Sequence, residues 1–377
     1  MKGLIFLMKP IDFLEILDTS FDNRQHSKVK HKLSEIIGLA LIAILGSADD
    51  CVEIAEFCTA HKNILQEYFE LSHGIPSHDT FTRGLAMVEP THLQTLRDRF
   101  TELLNANEGR KLRKILSIDG KTQRGNGTKT QKANHIVSAV DNNGICITEE
   151  LVDDKSNEIT AIPCLLDNLN IKNHIITIDA MGTQKEIAKK IRKKRADYVL
   201  ALKGNQGTLE TDVKEYFGDP DLLKGCAYHK TVEKSRGGIE IREYWQTNDI
   251  TWLSQKKDWA GLSTIAMTRN TIKTEEKTTV ACRYFISSLP TNVEEVARAI
   301  RGHWMVESYH WHLDVTFRED ANQTLEKQAA FNLNILKKLA LNILKLLDIG
   351  DKGASLKIKR RRIGWNLEKY LSALFQV

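Results

Sequence analysis

The stretch RKILSIDGKT, residues 113 to 122, decides how the rest of the chain is read. A basic pair leads into Ile115, Leu116, Ser117 and Ile118, an apolar run of strand length, and the run delivers Asp119 directly before Gly120. A carboxylate at the end of a buried strand is costly unless it is solvated, paired or bound to a metal. The bland alternative is a turn aspartate, because Asp before Gly is common where strands end. The same arrangement recurs in HIITIDA, residues 174 to 180, where Asp179 closes an equally apolar run.

Between and after these two runs the hydrophobic period alternates between strand and helix. HIVSAVDNNGICITEELVD reads as a hairpin turning at Asn142, Asn143 and Gly144, and ITAIPCLLDNLN as a helix. Helix TQKEIAKKIRKKR and strand ADYVLALKGN follow HIITIDA. Three strands, helix, strand, helix, strand is the order of a ribonuclease H-like domain, in which the first and fourth strands are parallel neighbours. That order brings Asp119 and Asp179 to one edge of a mixed sheet, an α/β fold class.

The flanks differ in character. Residues 1–107 read as an all-helical region able to bind DNA ends, with Ser47 and Ser77 as expected N-caps; the short helix after Gly74 and Pro76 has the form of a recognition helix or of plain helical packing. The α/β domain begins over 111–221, and 222–290 alternates as an inserted β-rich subdomain. Helices of the catalytic domain return over 291–350, and a basic tail with a short helix fills 351–377. The helix at 301–320, RGHWMVESYHWHLDVTFRED, places His303, Glu307, His310 and Asp314 on one face at steps of four, three and four. Glu307 is the candidate third acid. Two aspartates and a glutamate hold two divalent ions roughly 3.5 to 4 Å apart for in-line phosphodiester displacement. Oxygen-only ligands suit Mg²⁺ or Mn²⁺.

Composition narrows the class. With 41% hydrophobic and 27% charged residues over 377 positions, the chain reads as a soluble globular protein, and no apolar run reaches the about 20 residues needed to span a bilayer. The N-terminal MKGLIFLMKP is too short an apolar stretch for a secretory signal. Six cysteines without a CxxC pair suggest neither a zinc knuckle nor a disulfide framework, consistent with the cytoplasm. The net charge of +5 is unevenly spread, with basic runs at 111–132, 185–195 and 357–362 that favour a polyanionic partner.

The residues IPSHDTFTR (75–83), LSIDGKTQRG (116–125), KSNEITAIPCLL (155–166), ITIDAMGTQKEIA (176–188), DYVLALKGNQ (197–206), GGIEIREY (237–244) and RGHWMVESYHWHLDVTFREDA (301–321) occur in order over nearly the whole chain. In these motifs the sequence resembles DDE transposases of bacterial insertion sequences, in the ISAs-type group that includes the H-repeat-associated proteins. The resemblance implies a ribonuclease H-like core, a metal-binding catalytic triad of Asp119, Asp179 and Glu307, and transposition of a DNA element in a bacterial cytoplasm, in association with the nucleoid. Where the wider IS-four-like transposases carry Tyr, Arg and Lys around the glutamate, this chain has Ile300, His303 and Asp314.

Lys121 and Arg124 lead into a glycine-containing segment suited to a phosphate path, and Lys203 and Asn205 stand where a strand opens into a helix. Arg301 and His303 are candidates for the scissile-strand backbone. Trp245 and Trp304 are read as core residues, with base stacking as the rival role. The expected partners are the element's terminal repeats and target DNA, with a homodimer assembling on DNA and neither membrane nor organic cofactor. The rivals are a catalytically inactive DNA-binding remnant or regulator, another ribonuclease H-like nuclease, and a dinuclear iron protein built on Glu307-x-x-His310.

Overall fold

The computed structural model describes residues 29–105, 113–153, 157–235, 237–346 and 353–375, together with Leu17, Asp22 and Arg24. The expected boundaries at 107–111 and 350–351 lie outside the described residues. From residue 29 onward the described residues begin with helices α1 (Leu33–Leu45), α2 (Cys51–Ala60), α3 (Lys62–Leu65), α4 (His78–Met87) and α5 (Pro90–Asn105). Because LSEIIGLALIAIL is apolar on all sides, α1 must be enclosed, and every residue of it except Ser34 is buried. Ser77 caps α4, its hydroxyl accepting from the Thr80 N–H at 3.3 Å. Ser47 does not cap α2: it sits at φ +90°, and Asp50 accepts from the N–H groups of Val52 and Glu53 instead.

The sheet follows. β1 (Ile115–Thr122), β2 (His135–Asp141) and β3 (Cys146–Val152) form an antiparallel meander, turned at Gly144 (φ +74°) with the Asp141 carboxylate accepting from Asn143 and Ile145 N–H. Helix α6 (Glu158–Asp167) leads to β4 (Ile175–Ile178), parallel to β1, and α7 (Lys185–Lys193) leads to β5 (Asp197–Leu202), parallel to β4. This is the expected ribonuclease H-like order. Beyond α8 (Gly207–Gly218) and α9 (Pro220–Lys224) come β6 (Ala227–Ser235), β7 (Gly238–Thr247), β8 (Thr264–Thr274) and β9 (Thr278–Ser287). These four strands extend the core sheet, because β9 pairs antiparallel with β5, giving the order β3-β2-β1-β4-β5-β9-β8-β7-β6.

Helix α10 (Val293–Val315) crosses one face of this sheet; α6, α7 and α8 pack against the other. Helix α11 (Lys327–Leu346) is buried from Ala329 to Leu344 and joins the N-terminal helices to the sheet. Its asparagines act as clamps. Asn332 donates to the Leu85 and Val88 carbonyls at the end of α4, and Asn342 both donates to the Cys146 carbonyl and accepts its N–H. The buried Lys338 ammonium donates to Ser138 Oγ at 2.8 Å. The N-terminal helices thus share one core with α10, α11 and the β2–β3 edge.

Much of the charge in the basic runs is used inside the fold. In and after α7, Lys190 pairs with Asp167, Lys185 with Asp258 and Arg192 with Asp197, while Lys194 donates to carbonyls at the end of α6. In α12 (Leu356–Trp365), which precedes α13 (Leu367–Phe375), the buried Arg360 donates to the Ile44 and Ala48 carbonyls and pairs with Asp49. Burying the Arg360 guanidinium is tolerable because its donors find acceptors. Lys189, Lys193, Arg195, Lys357 and Arg361 remain exposed.

Candidate active site

The parallel register of β1 and β4 ends at Ile118 opposite Ile178, so Asp119 and Asp179 occupy matched positions one residue further on. The expectation that both close their strands holds for Asp179 alone. β1 continues to Thr122 because β2 keeps pairing it, Asp119 lying opposite Ser138. The chain turns away after Asp179, whose carboxylate accepts from the Gly182 N–H at 3.1 Å. Burial raises the Asp179 carboxyl above its ordinary value, and the charges of Asp119 and Glu158 add to the rise. Among the described residues no lysine or arginine pairs with either aspartate.

The polar stripe of α10 lies along the end of these strands, with His303, His310 and Asp314 partly covered and Glu307 exposed. His303 Nδ1 meets Thr177 Oγ1 at 3.0 Å, His310 Nδ1 stands 3.5 Å from Asp119 Oδ2, and Asp314 pairs with Lys121 at 2.7 Å. Glu307 borders a cleft of about 580 Å³ that it shares with Asp179, Lys203, Glu210, Arg283 and His303. Its carboxyl is also raised by burial, with Asp119 adding and Arg283 opposing. The opposite, apolar stripe of Val306, Tyr309 and Leu313 is buried in the core, which is what fixes the polar stripe over the strand ends.

The expected DNA contacts are distributed unevenly. Lys203 is exposed in the cleft and Arg124 is exposed at the glycine-containing segment. Asn205 donates to the Ala180 carbonyl at 2.5 Å and so ties the loop after β5 to the loop that carries Asp179. Arg301 is exposed on the side of α10 toward the β6–β7 hairpin, where its charge is felt by Glu233 and Tyr244. Lys121 is turned inward: its ammonium pairs with Asp314, Glu319 and Asp320 at 2.7 to 3.0 Å. Burial works against that charge, but Glu319 and its neighbours outweigh it and raise the lysine well above its ordinary value. Its charge clamps the end of α10 to β1. Trp245 is buried, whereas Trp304 is 41% exposed with the Arg283 guanidinium 5.3 Å from its ring centre.

Sequence reading passed over the neighbours of Asp119. His135 Nε2 contacts Glu158 Oε1 at 2.7 Å, and His135 Nδ1 contacts Thr122 Oγ1 at 2.7 Å. Together they occupy the space over Gly120, where a Cβ would lie 2.2 Å from Glu158 Oε1 and 2.6 Å from His135 Nε2. The signal was present only in the KSNEITAIPCLL motif, whose glutamate is the first residue of α6. Gly120→Ala is expected to displace this pair and to cost about 1–3 kcal/mol, the range for overpacking a filled site. Urea denaturation would measure the cost; a stability within about 0.5 kcal/mol of wild type would mean that the pair gives way freely.

The acids at the strand ends and on α10 are of the kind that a hard divalent cation takes as ligands. The donors fit in kind: carboxylates that form no ion pair with lysine or arginine among the described residues, those of Asp179 and Glu307 raised by burial and further by the charge of Asp119. They are not a closed cage, because among the described residues no three His, Cys, Asp or Glu side chains stand close enough together to hold a metal ion.

Comparison with known proteins identifies the family. Residues 110–343 match the family described as "Transposase DDE domain", and residues 14–101 match "DDE_Tnp_1-associated". "Putative transposase YncI" of Escherichia coli O157:H7 is 38% identical over 366 residues, covering 94% of this chain and 92% of that protein. "H repeat-associated putative transposase YhhI" of Escherichia coli (strain K12) is 35% identical over 360 residues, covering 92% and 93%. A match of 70 residues, 37% identical, links 19% of the chain to 83% of "Inactive transposase YbfQ" of the same strain. With two matched aspartates at the parallel strand ends and a glutamate-bearing helix laid across them, the chain belongs to the transposase DDE family.

Proposed function

We propose that this transposase binds the ends of an insertion sequence in the bacterial cytoplasm, hydrolyses the phosphodiester at each end, and joins the freed 3′-OH to target DNA. The observation that carries the reading is the matched placement of Asp119 and Asp179 one residue beyond the Ile118–Ile178 pair, with Glu307 in the adjoining cleft. Asp119 and Asp179 would hold Mg²⁺ or Mn²⁺ from the strand side and Glu307 from the helix side. Two such ions, when bound, supply charge stabilisation at the attacking and leaving oxygens. Lys203, Arg283 and Arg124 neutralise phosphates along the cleft and its rim, and α4 with Arg83 contacts the element's end. In support of that last contact, a second cleft of about 690 Å³ is lined by Arg24, Lys30, His31 and Arg83. Acting on two ends calls for a homodimer on DNA. Among the described residues no helix is long and apolar enough to cross a membrane.

The decisive experiment is cleavage of labelled linear DNA carrying the gene's own flanking repeats, with Mg²⁺, Mn²⁺ or EDTA. Nicking at the repeat ends with metal, absent in EDTA and in Glu307→Gln, is the expected result. Binding without nicking under any metal would replace this reading with a DNA-binding remnant.

The exposed Trp304 beside Glu307 is suited to stacking on a base next to the cut. Trp304→Ala is expected to weaken binding of frayed or single-stranded ends by roughly tenfold, at the lower part of the 1–3 kcal/mol typical of base stacking. Fluorescence anisotropy with frayed and blunt ends checks this, and an equal loss on both would assign the tryptophan to backbone contact.

A further inference from the structure

We propose that His303 is the proton acceptor for the attacking oxygen, presenting an unprotonated Nε2 to the cleft beside Glu307; the proposal rests on the nuclease reading above. Three hydrogen bonds settle which ring nitrogen carries the proton. The Gly302 carbonyl can only accept, so the Ser117 hydroxyl spends its hydrogen on it at 3.2 Å. Ser117 Oγ must therefore accept from Thr177 Oγ1, 3.1 Å away, and this uses the one hydrogen of Thr177. The 3.0 Å contact between Thr177 Oγ1 and His303 Nδ1 then requires Nδ1 to donate. A neutral imidazole with its hydrogen on Nδ1 has its lone pair on Nε2.

The surroundings keep the ring neutral. Burial lowers its proton affinity, with Arg283 on β9 and His310 on α10 acting in the same direction and Asp119 on β1 opposing. The ring lines the cleft with Asp179, Arg283 and Glu307, and with Nδ1 anchored to β4, Nε2 is the edge left for a reacting group. Such a ring accepts at Nε2, a role other than the contact with the scissile-strand backbone expected from the sequence. Ser117 and Thr177, each on the strand face covered by α10, become positioning residues for it.

In hydrolysis, a water O–H bond breaks, its proton passes to Nε2, and its electron pair forms the new P–O bond. The bond from phosphorus to the 3′ oxygen breaks, and that oxygen leaves with its electron pair and takes a proton from solvent. The imidazolium then returns its proton to solvent. In strand transfer the freed 3′-OH replaces the water, and the leaving group is the 3′ oxygen of the target strand.

The test has two readouts. The first uses the full chain labelled with ¹⁵N-histidine, without DNA or metal, and two-bond nitrogen–proton correlation spectra near pH 7, the His303 signals being assigned by their loss in His303→Gln. Nδ1–H with a bare Nε2 is expected, and Thr177→Val is expected to shift the ring toward the Nε2–H form. A ring protonated on Nε2, or on both nitrogens, would overturn the proposal. The second is nicking of repeat-end DNA. His303→Gln is expected to lose at least about 10²-fold, the lower end for removal of a general base, together with the acid limb of the pH–rate profile, while end binding stays unchanged. Wild-type nicking by His303→Gln would overturn this proposal alone. A wild-type chain that does not nick would overturn the nuclease reading and the role of His303 with it, whatever the tautomer.

Discussion

Asp119→Asn is expected to abolish nicking of repeat-end DNA by roughly three orders of magnitude or more while binding of the same DNA persists. Asparagine keeps the shape of the side chain and its place opposite Ser138, so β1 and its pairing with β2 remain. What disappears is one of the two carboxylate charges at the ends of the parallel strands. Loss of a metal arm removes several kcal/mol of transition-state stabilisation, and about 4 kcal/mol corresponds to a factor near 10³. The side chain also faces His310 at 3.5 Å, and its charge raises the carboxyls of Asp179 and Glu307. The substitution should therefore lower both of those carboxyls toward their ordinary values. Rate measurements in Mg²⁺ and Mn²⁺, with anisotropy for binding, separate the two effects. Cutting at the wild-type rate would remove Asp119 from the reaction.

The largest expected loss of stability lies far from the cleft, in Arg97→Met. Arg97 on α5 and Glu149 on β3 pair with side chains 1% and 0% exposed, and the guanidinium also donates to the Ile147 carbonyl at 2.8 Å. Removing one partner of a fully buried pair costs about 3–5 kcal/mol, because the other charge is left in the core. Against typical total stabilities of about 5–15 kcal/mol that is a large share. Burial would raise the Glu149 carboxyl, yet Arg97 and Lys338 outweigh it and hold it below the usual range. With a depressed native value, the pair's contribution is fully present above the ordinary carboxylate value and fades as pH falls through the depressed one. In Arg97→Met most of that counter-charge is gone, so the penalty should shrink on acidification as Glu149 takes up a proton. Arg97→Met combined with Glu149→Leu should recover most of the loss. Urea denaturation at pH 7 and pH 5 measures all three expectations, and a single variant within about 1 kcal/mol of wild type would contradict them.

That ion pair also explains why the helical N-terminal region shares a core with the α/β domain. It joins α5 to β3, as Asn332 and Asn342 of α11 join α4 to the same strand. The DNA contact proposed for α4 would thereby be mechanically connected to the sheet that carries the acids.

Much of this protein is decided locally and is therefore legible in one dimension. Strand and helix periods, the aspartate closing an apolar run in ILSIDG and IITIDA, the Asn142–Gly144 turn and the helical spacing of His303, Glu307, His310 and Asp314 each depend on residues within a few positions of one another. Tertiary structure alone decided what those groups meet. Lys121 looked like a phosphate ligand and is consumed by Asp314, Glu319 and Asp320, nearly two hundred residues later. Glu158 and His135, unremarked in sequence, close over Gly120 beside Asp119. The basic runs promised a charged surface, yet Arg360 lies buried against the end of α1, because a helix end left in the interior needs donors for its last carbonyls. Local pattern determines which residues are presented at a strand end or on a helix face. Whether a charge there is free for DNA depends on long-range partners that only the folded chain brings within reach.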